Sequence, residues 1–334
     1  MRKRNHRSNT ATRPVPAPRT TIAPRTIAPR TTAPRTTAVR TVATRALAAV
    51  SVAVLGVGVL TGCDASGGNS PAPGGSSAAK PKPSPTPVWD TSPRSLVAVG
   101  DSITRGFDAC SVLSDCPEVS WATGSDAKVR SLAVRLLGKS RASTHSWNYA
   151  KTGARMADLP AQMEQAGAER PDLVTVMVGA NDACRPTVGA MTPVAGFRAD
   201  FEESLRQLRR TAPKAQVYVM SVPDLKRLWS QGRTNPLGKQ VWKLGICGSM
   251  LADPDAMDAT ATARRDEVQR RVEAYNKVLK DVCAKDRRCR SDDGAVFGYR
   301  FDGDQLSQWD WFHPSKDGQA RLAALAYRGV TTAE

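Results

Sequence analysis

Residues 96–102 read Leu96-Val97-Ala98-Val99-Gly100-Asp101-Ser102, a short apolar run that stops at a glycine and is followed by an acid and a serine. Such a run is typical of a buried parallel strand, and it puts Ser102 just beyond the strand's carboxyl end. Open α/β sheets place their ligands at that edge. A serine hydroxyl becomes a good nucleophile only when a base takes its proton, and a histidine oriented by a carboxylate is the usual base. The distant run Asp310-Trp311-Phe312-His313 supplies both groups.

Strand and helix patterns alternate along the chain from residue 89 onward. Helical spacing of apolar residues predicts helices over Val129–Leu137, Val194–Leu208 and Val268–Val282, and a last helix after Ser315. The segment 223–262 is long and weakly patterned, but its cysteine and two tryptophans favour an ordered structure. The predicted strands lie at 96–99, 144–149, 173–178, 217–221 and 295–301. Alternation of this kind predicts an α/β fold with a parallel sheet covered by helices on both faces.

The first 62 residues differ in composition from the rest. They hold eleven Arg or Lys and no acid, which leaves only +6 of the net charge of +17 for the remainder. A basic region followed by the uncharged run 46–60 predicts a secretory signal peptide. Because the excess charge lies in this leader, and no clustered basic patch with interleaved aromatics follows it, we expect no nucleic-acid partner.

The signal ends in Leu60-Thr61-Gly62-Cys63, which resembles the bacterial lipobox, in which the cysteine is acylated and becomes the mature N-terminus. An ordinary signal peptide or a single membrane anchor is the alternative. Residues 63–88 are rich in Pro, Gly and Ser and predict a tether, so the folded domain should span residues 89–334. We expect an extracellular monomer that is held at the outer face of the cell membrane through lipid on Cys63.

Six cysteines remain beyond Cys63, and an even number outside the cytoplasm indicates disulfides. Two pairs have the same short spacing, Cys110 with Cys116 and Cys283 with Cys289, which favours local loops. By subtraction, Cys184 would pair with Cys247. A metal site is the competing interpretation, but the chain has no Cys-x-x-Cys motif and the domain has only two histidines, so we expect no metal.

The candidate base is one of two histidines. His145 falls inside a predicted strand, where a hydrogen-bonded structural role is the simpler interpretation. His313 precedes a predicted helix and follows Asp310 by three residues, close enough for that carboxylate to orient its ring. A serine after a glycine is also common turn chemistry, and Thr104 rules out the Gly-x-Ser-x-Gly elbow around Ser102.

Two further residues follow predicted strands, Gly153 and Asn181. From such positions a backbone N–H and a side-chain amide can be aimed at a developing oxyanion. Each residue alone is unremarkable in a turn. Together with Ser102 and His313, they form a set of four residues after successive strands of one predicted sheet.

In these four blocks the chain resembles the SGNH hydrolases, also called GDSL-like esterases and lipases. The matching blocks are Gly100-Asp101-Ser102, Gly153, Gly179-Ala180-Asn181-Asp182 and Asp310-Trp311-Phe312-His313, within residues 95–328. The resemblance implies a three-layer, flavodoxin-like fold with a five-stranded parallel sheet. It also implies Ser102 as nucleophile, His313 as base, and an oxyanion hole from the Ser102 and Gly153 amides and the Asn181 side chain. In some members of the family a backbone carbonyl orients the histidine, and this is the alternative to Asp310 in that role.

The function expected on this basis is hydrolysis of carboxylic esters through an acyl-enzyme, without a cofactor. The substrate is a small-molecule, lipid or polysaccharide ester. One alternative is an O-acetyl esterase acting on a cell-envelope or plant polysaccharide. Another is a catalytically silent surface binding module, although Ser102, Asn181 and His313 are all present. Six cysteines and the long insertion are similar to those of secreted actinobacterial members of the family.

Overall fold

The computed structural model of the protein describes residues 89–333. The predicted leader, lipobox and tether, together with Cys63, therefore lie outside the described residues. The chain forms β1 (Leu96–Gly100), α1 (Ser102–Arg105), α2 (Leu132–Leu137), α3 (Lys139–His145), β2 (Ser146–Asn148), α4 (Leu159–Ala168), β3 (Leu173–Met177), α5 (Ala180–Ala183), α6 (Val194–Thr211), β4 (Gln216–Val219), α7 (Leu225–Gly232), α8 (Pro236–Trp242), α9 (Gly248–Leu251), α10 (Ala259–Cys283), β5 (Cys289–Ser291) and α11 (Lys316–Thr331).

The five strands make one parallel sheet in the order β2-β1-β3-β4-β5. Leu96 of β1 pairs with Leu173 of β3 on one side and Ser146 of β2 on the other. This is the strand order of flavodoxin-like folds. In these folds the order in which strands are added reverses between β1 and β3, and ligands bind at the carboxyl ends of the strands at that point. The predicted α/β class and five-stranded parallel sheet are confirmed.

Helices cover both faces of the sheet. All five residues of β1 and of β3 are buried, as their largely apolar sequences predicted; the exception in β3 is Thr175, which is polar and also buried. Helix α6 packs against both α4 and α10, and Phe197 of α6 stacks on Tyr275 of α10 with ring centroids 4.1 Å apart. Helix α11 lies against β4, where Gly329 meets the ring of Tyr218. The catalytic candidates thus lie in short helices and loops above a closely packed three-layer core.

The predicted fifth strand is wrong. The strand is Cys289–Ser291, whereas residues 295–301 form turns. Val296 and Phe301 are buried in the core. The apolar residues of this segment therefore indicate burial and not an extended backbone. The true β5 is a short, half-buried edge strand, Cys-Arg-Ser, and it carries no apolar run to recognise.

The second strand is shorter than predicted, and His145 is not in it. His145 ends helix α3 and is exposed, with Nδ1 bonded only to the neighbouring Thr144 hydroxyl at 2.8 Å. The pairing with β1 extends over Ser146–Asn148 alone. The helix predicted from Val129 begins later, at Leu132, because the Ser131 side chain caps it by accepting a hydrogen bond from Val134 N. Val129 precedes the helix and packs in a small separate cluster.

Segment 223–262 is ordered, as expected, and forms α7, α8 and α9. Its tryptophans are buried: Trp229 Nε1 donates to Pro254 O at 3.2 Å, and Trp242 Nε1 donates to Asp310 O at 2.8 Å. The insertion therefore packs against the loop that carries the candidate base.

The described part begins at the edge of the sheet where the strands start. Trp89 Nε1 donates to Val330 O near the end of α11 at 2.9 Å, and Asp90 N donates to Gln216 Oε1 at the start of β4 at 2.6 Å. Both ends of the described part thus lie at the edge opposite the carboxyl ends of the strands. Among residues 89–333, no helix is long and apolar enough to cross a membrane.

Candidate active site

Ser102 is positioned by a tight transition from strand to helix. Asp101 caps α1 by accepting a hydrogen bond from Ile103 N at 2.9 Å, so Ser102 becomes the first residue of the helix. Gly100 has φ +149°, and a Cβ at this position would lie 2.1 Å from Met177 O at the end of β3. Only glycine lets the two strand ends approach this closely.

A continuous chain of hydrogen bonds joins Ser102, His313 and Asp310. Ser102 Oγ lies 2.8 Å from His313 Nε2, and His313 Nδ1 lies 2.5 Å from Asp310 Oδ2. Since the carboxylate can only accept, Nδ1–H donates to Asp310 and Nε2 accepts the Ser102 hydroxyl. The structure therefore brings together, across more than 200 residues of sequence, the three side chains predicted to act together.

The loop around His313 fixes the ring. Asp310 Oδ1 accepts hydrogen bonds from Phe312 N at 2.9 Å and His313 N at 3.0 Å, which makes the loop a compact turn. The imidazole packs against Phe107, with ring centroids 5.0 Å apart, and against Phe312 at 5.2 Å. The carboxylate of Asp310 is nearly fully buried, and the His313 side chain is 12% exposed. The ring is left little freedom to rotate away from Ser102.

The charges around His313 make its ring a stronger base than an ordinary histidine. Burial lowers the pKa of His313, but the charge and hydrogen bond of Asp310, together with the charges of Asp108 and Asp101, raise it by more, so the pKa lies above its ordinary value. Burial raises the pKa of Asp310, yet the His313 ring and the backbone N–H donors hold it below its usual range. When His313 accepts the proton of Ser102, the ionised Asp310 therefore stabilises the imidazolium that forms.

Hydrogen bonds hold Gly153 and Asn181 at the same edge of the sheet as Ser102. Lys151 N donates to Gly100 O at 3.1 Å, and Asn181 Nδ2 donates to Ala154 O at 3.0 Å. Gly153 has φ +83° in this turn. Within residues 89–333, neither the Ser102 nor the Gly153 backbone N–H has a hydrogen-bond acceptor, so both donors remain available to a ligand.

Several supporting residues were not predicted from the sequence. Gln162 of α4 is fully buried, accepts from Gly100 N at 2.7 Å and donates to Gly100 O at 3.0 Å. Asp182 accepts from Met156 N at 2.9 Å, and burial raises its pKa to about 6. A polar residue between apolar Leu159 and Met163 is the one sequence signal that could have indicated Gln162 as a buried hydrogen-bonding residue.

The three expected disulfides are present: Cys110–Cys116, Cys184–Cys247 and Cys283–Cys289. Cys184 follows α5, the short helix that carries Asn181, and its partner lies directly before α9. Ser249 of α9 reinforces this link, because its hydroxyl donates to Ala183 O at 2.7 Å. The insertion is thus covalently attached beside the candidate oxyanion donor.

A small apolar cavity of about 10 Å³ lies among chain neighbours of the site residues. Its wall includes Ile103, Ala180 and Phe312, the immediate chain neighbours of Ser102, Asn181 and His313. The remaining lining is also apolar: Pro223, Leu225, Leu228, Phe301, Leu306 and Pro314.

Comparison with known proteins identifies the family. The model of the GDSL-like lipase/acylhydrolase family matches residues 96–326. Among solved structures, the chain is similar to an extracellular lipase from Streptomyces rimosus (18% identity, 71% of this chain and 99% of that chain, TM-score 0.39). It is similar to phospholipase A1 from Streptomyces albidoflavus NA297 (20% identity, 72% and 100%, TM-score 0.42) and to a family 3 carbohydrate esterase from Clostridium thermocellum (13% identity, 70% and 94%, TM-score 0.41).

Among curated proteins no match was found. The family match spans most of the chain, and it includes Ser102, Gly153, Asn181 and His313 within one segment. The chain belongs to the GDSL-like lipase/acylhydrolase family of ester hydrolases.

Proposed function

We propose that the protein is a serine esterase in which Ser102, His313 and Asp310 form a catalytic triad. The observation that carries the proposal is the unbroken hydrogen-bonded path from the Ser102 hydroxyl to the Asp310 carboxylate, 2.8 Å and then 2.5 Å long. Each contact has the length and partner that proton transfer from serine to histidine requires.

In the first half of the reaction, Ser102 Oγ attacks the ester carbonyl carbon while its proton passes to His313 Nε2. The resulting oxyanion accepts hydrogen bonds from the Ser102 and Gly153 N–H groups and from Asn181 Nδ2. The tetrahedral intermediate then collapses: the carbon–oxygen bond to the alcohol breaks, and His313 returns the proton to that oxygen. An acyl-enzyme remains on Ser102.

In the second half, His313 takes a proton from water, and the hydroxide attacks the acyl carbon. The bond to Ser102 Oγ breaks as the proton is handed back to it, and the carboxylic acid leaves. Asp310 stays ionised throughout and stabilises the imidazolium in both halves.

We further propose that the protein acts outside the cell, held at the outer face of the cell membrane through lipid on Cys63. The support is the apolar run before Leu60-Thr61-Gly62-Cys63 together with the three disulfides of the domain, since disulfides persist in oxidising compartments. No partner protein is needed for the proposed reaction.

The decisive experiment compares wild type with Ser102→Ala on p-nitrophenyl acetate, butyrate and palmitate. We expect kcat of the variant to fall by roughly 10⁴- to 10⁶-fold with unchanged folding, since only binding and the oxyanion donors remain. Ser143→Ala, an exposed serine of α3, is the matched control. Hydrolysis of acetate alone would favour an O-acetyl esterase, and labelling of another serine by a fluorophosphonate would refute the assignment. No hydrolysis by wild type would favour a binding module.

A further inference from the structure

A second carboxyl group is buried beside the proposed triad. Asp108 lies in the loop after α1 and is only 2% exposed. One carboxylate oxygen each of Asp108 and Asp310 and one ring nitrogen of His313 all lie within 4.8 Å of one another. None of the four sequence blocks of the family contains Asp108.

Several contacts hold Asp108 in this position. Its backbone N donates to Ser114 O at 3.0 Å, and its carbonyl accepts from Ser307 Oγ at 2.6 Å. Ser307 N in turn donates to His313 O at 2.7 Å, which connects this loop directly to the His313 loop. The side chain accepts from Leu113 N at 2.5 Å, inside the loop closed by the Cys110–Cys116 disulfide.

The charged groups that face His313 are three carboxyls on three segments. Asp310 comes from the loop that carries His313, Asp108 from the segment between α1 and Cys110, and Asp101 from the end of β1. Burial, followed by the charge of Asp310, raises the pKa of Asp108 to about 6. Two neighbouring carboxylates repel each other while His313 is neutral, but a protonated ring attracts both. The interaction is therefore more favourable after His313 has taken the serine proton than before, which is the condition for lowering a barrier.

We propose that Asp108 is a positioning residue that acts through Asp310: the two buried carboxyls form a pair that holds His313 in place and stabilises its positive charge during catalysis. The inference rests on the esterase mechanism proposed above and extends it by one residue. The simpler alternative is that Asp108 only shapes the disulfide loop by accepting from Leu113 N.

The variant Asp108→Asn separates these two roles. Asparagine keeps the size of the side chain and an oxygen that accepts from Leu113 N, but it removes the negative charge. Asp304→Asn is the matched control, because Asp304 is exposed, lies six residues before Asp310, and undergoes the same change of charge. Both purified variants are assayed for kcat and KM from pH 5 to 9, and the His313 ring is titrated by NMR with exposed His145 as an internal reference.

In Asp108→Asn we expect kcat to fall about tenfold with little change in KM, since a transition-state interaction is lost. The acid limb of kcat/KM and the His313 titration should both move to lower pH, because a charge that favours imidazolium is gone. Asp304→Asn should match wild type in each measurement. An unchanged His313 titration in Asp108→Asn would overturn the proposal whether kcat falls or not, since a loop effect alone leaves that titration in place.

A different experiment would show that the proposed esterase mechanism itself is wrong. Full esterase activity in Ser102→Ala would refute the triad itself, whatever Asp108→Asn does. The NMR titration does not depend on turnover, so it still reports whether the charge of Asp108 reaches His313.

Discussion

Asp310 uses its two carboxylate oxygens for different tasks. Oδ1 accepts the backbone N–H groups of Phe312 and His313 and so fixes the loop, whereas Oδ2 accepts His313 Nδ1–H and fixes the ring. Loop shape and ring orientation therefore depend on one side chain. Its main-chain carbonyl accepts from Trp242 Nε1, so the insertion also stabilises this residue.

The acid and the oxyanion donor can be tested separately. Asp310→Asn keeps the shape but loses the charge that raises the pKa of His313, so we expect kcat to fall by about 10⁴-fold. Because His313 must be neutral to accept the proton, activity declines as pH falls through its pKa, and the acid limb of the variant should lie at lower pH than that of wild type. Asn181→Ala should reduce kcat by about 10²- to 10³-fold without moving that limb.

Both variants are measured on one short-chain ester across pH. A loss of only about tenfold in Asp310→Asn would indicate that a main-chain carbonyl orients the ring instead, since that corresponds to no more than about 1.4 kcal/mol of barrier. Full activity in Asn181→Ala would remove that side chain from the oxyanion hole.

At the scale of elements, the close approach of β1 and β3 depends on Gly100. Gly100→Ala should lower the free energy of unfolding by more than about 4 kcal/mol, because a methyl group cannot share space with the Met177 carbonyl. Gly138→Ala is the matched control: Gly138 also has a positive φ, +76°, with ψ 158°, but open space around it, so the substitution should cost only the backbone strain, about 1–3 kcal/mol. Urea unfolding of the two variants measures the difference, and equal losses would show that backbone strain rather than the contact matters.

Some strands and site residues could be predicted from the sequence, and others could not. Strands β1 and β3 were predictable because both faces are covered and, apart from Thr175 in β3, their residues are apolar or glycine. Strand β5 was not, since an edge strand of three half-buried residues has no such pattern. Ser102 and His313 could be predicted because each lies in a recognisable block. Asp108 and Gln162 could not, because their roles arise from contacts between segments that are distant in sequence.

At the scale of the whole molecule, the lipid anchor makes a testable prediction. If Cys63 is acylated, the protein from its native host should partition into the detergent phase of Triton X-114, and Cys63→Ala should shift it to the aqueous phase. Wild type and variant are compared for both partitioning and esterase activity. Equal partitioning of the two would favour an uncleaved apolar segment as the anchor.

The two ends of the described part lie at the edge where the strands begin, through Trp89 and Val330, while Ser102 lies where β1 ends. The five residues of β1 alone separate these edges by about 16 Å. A support, label or fused domain joined at either end would therefore sit on the far side of the sheet and leave the serine uncovered.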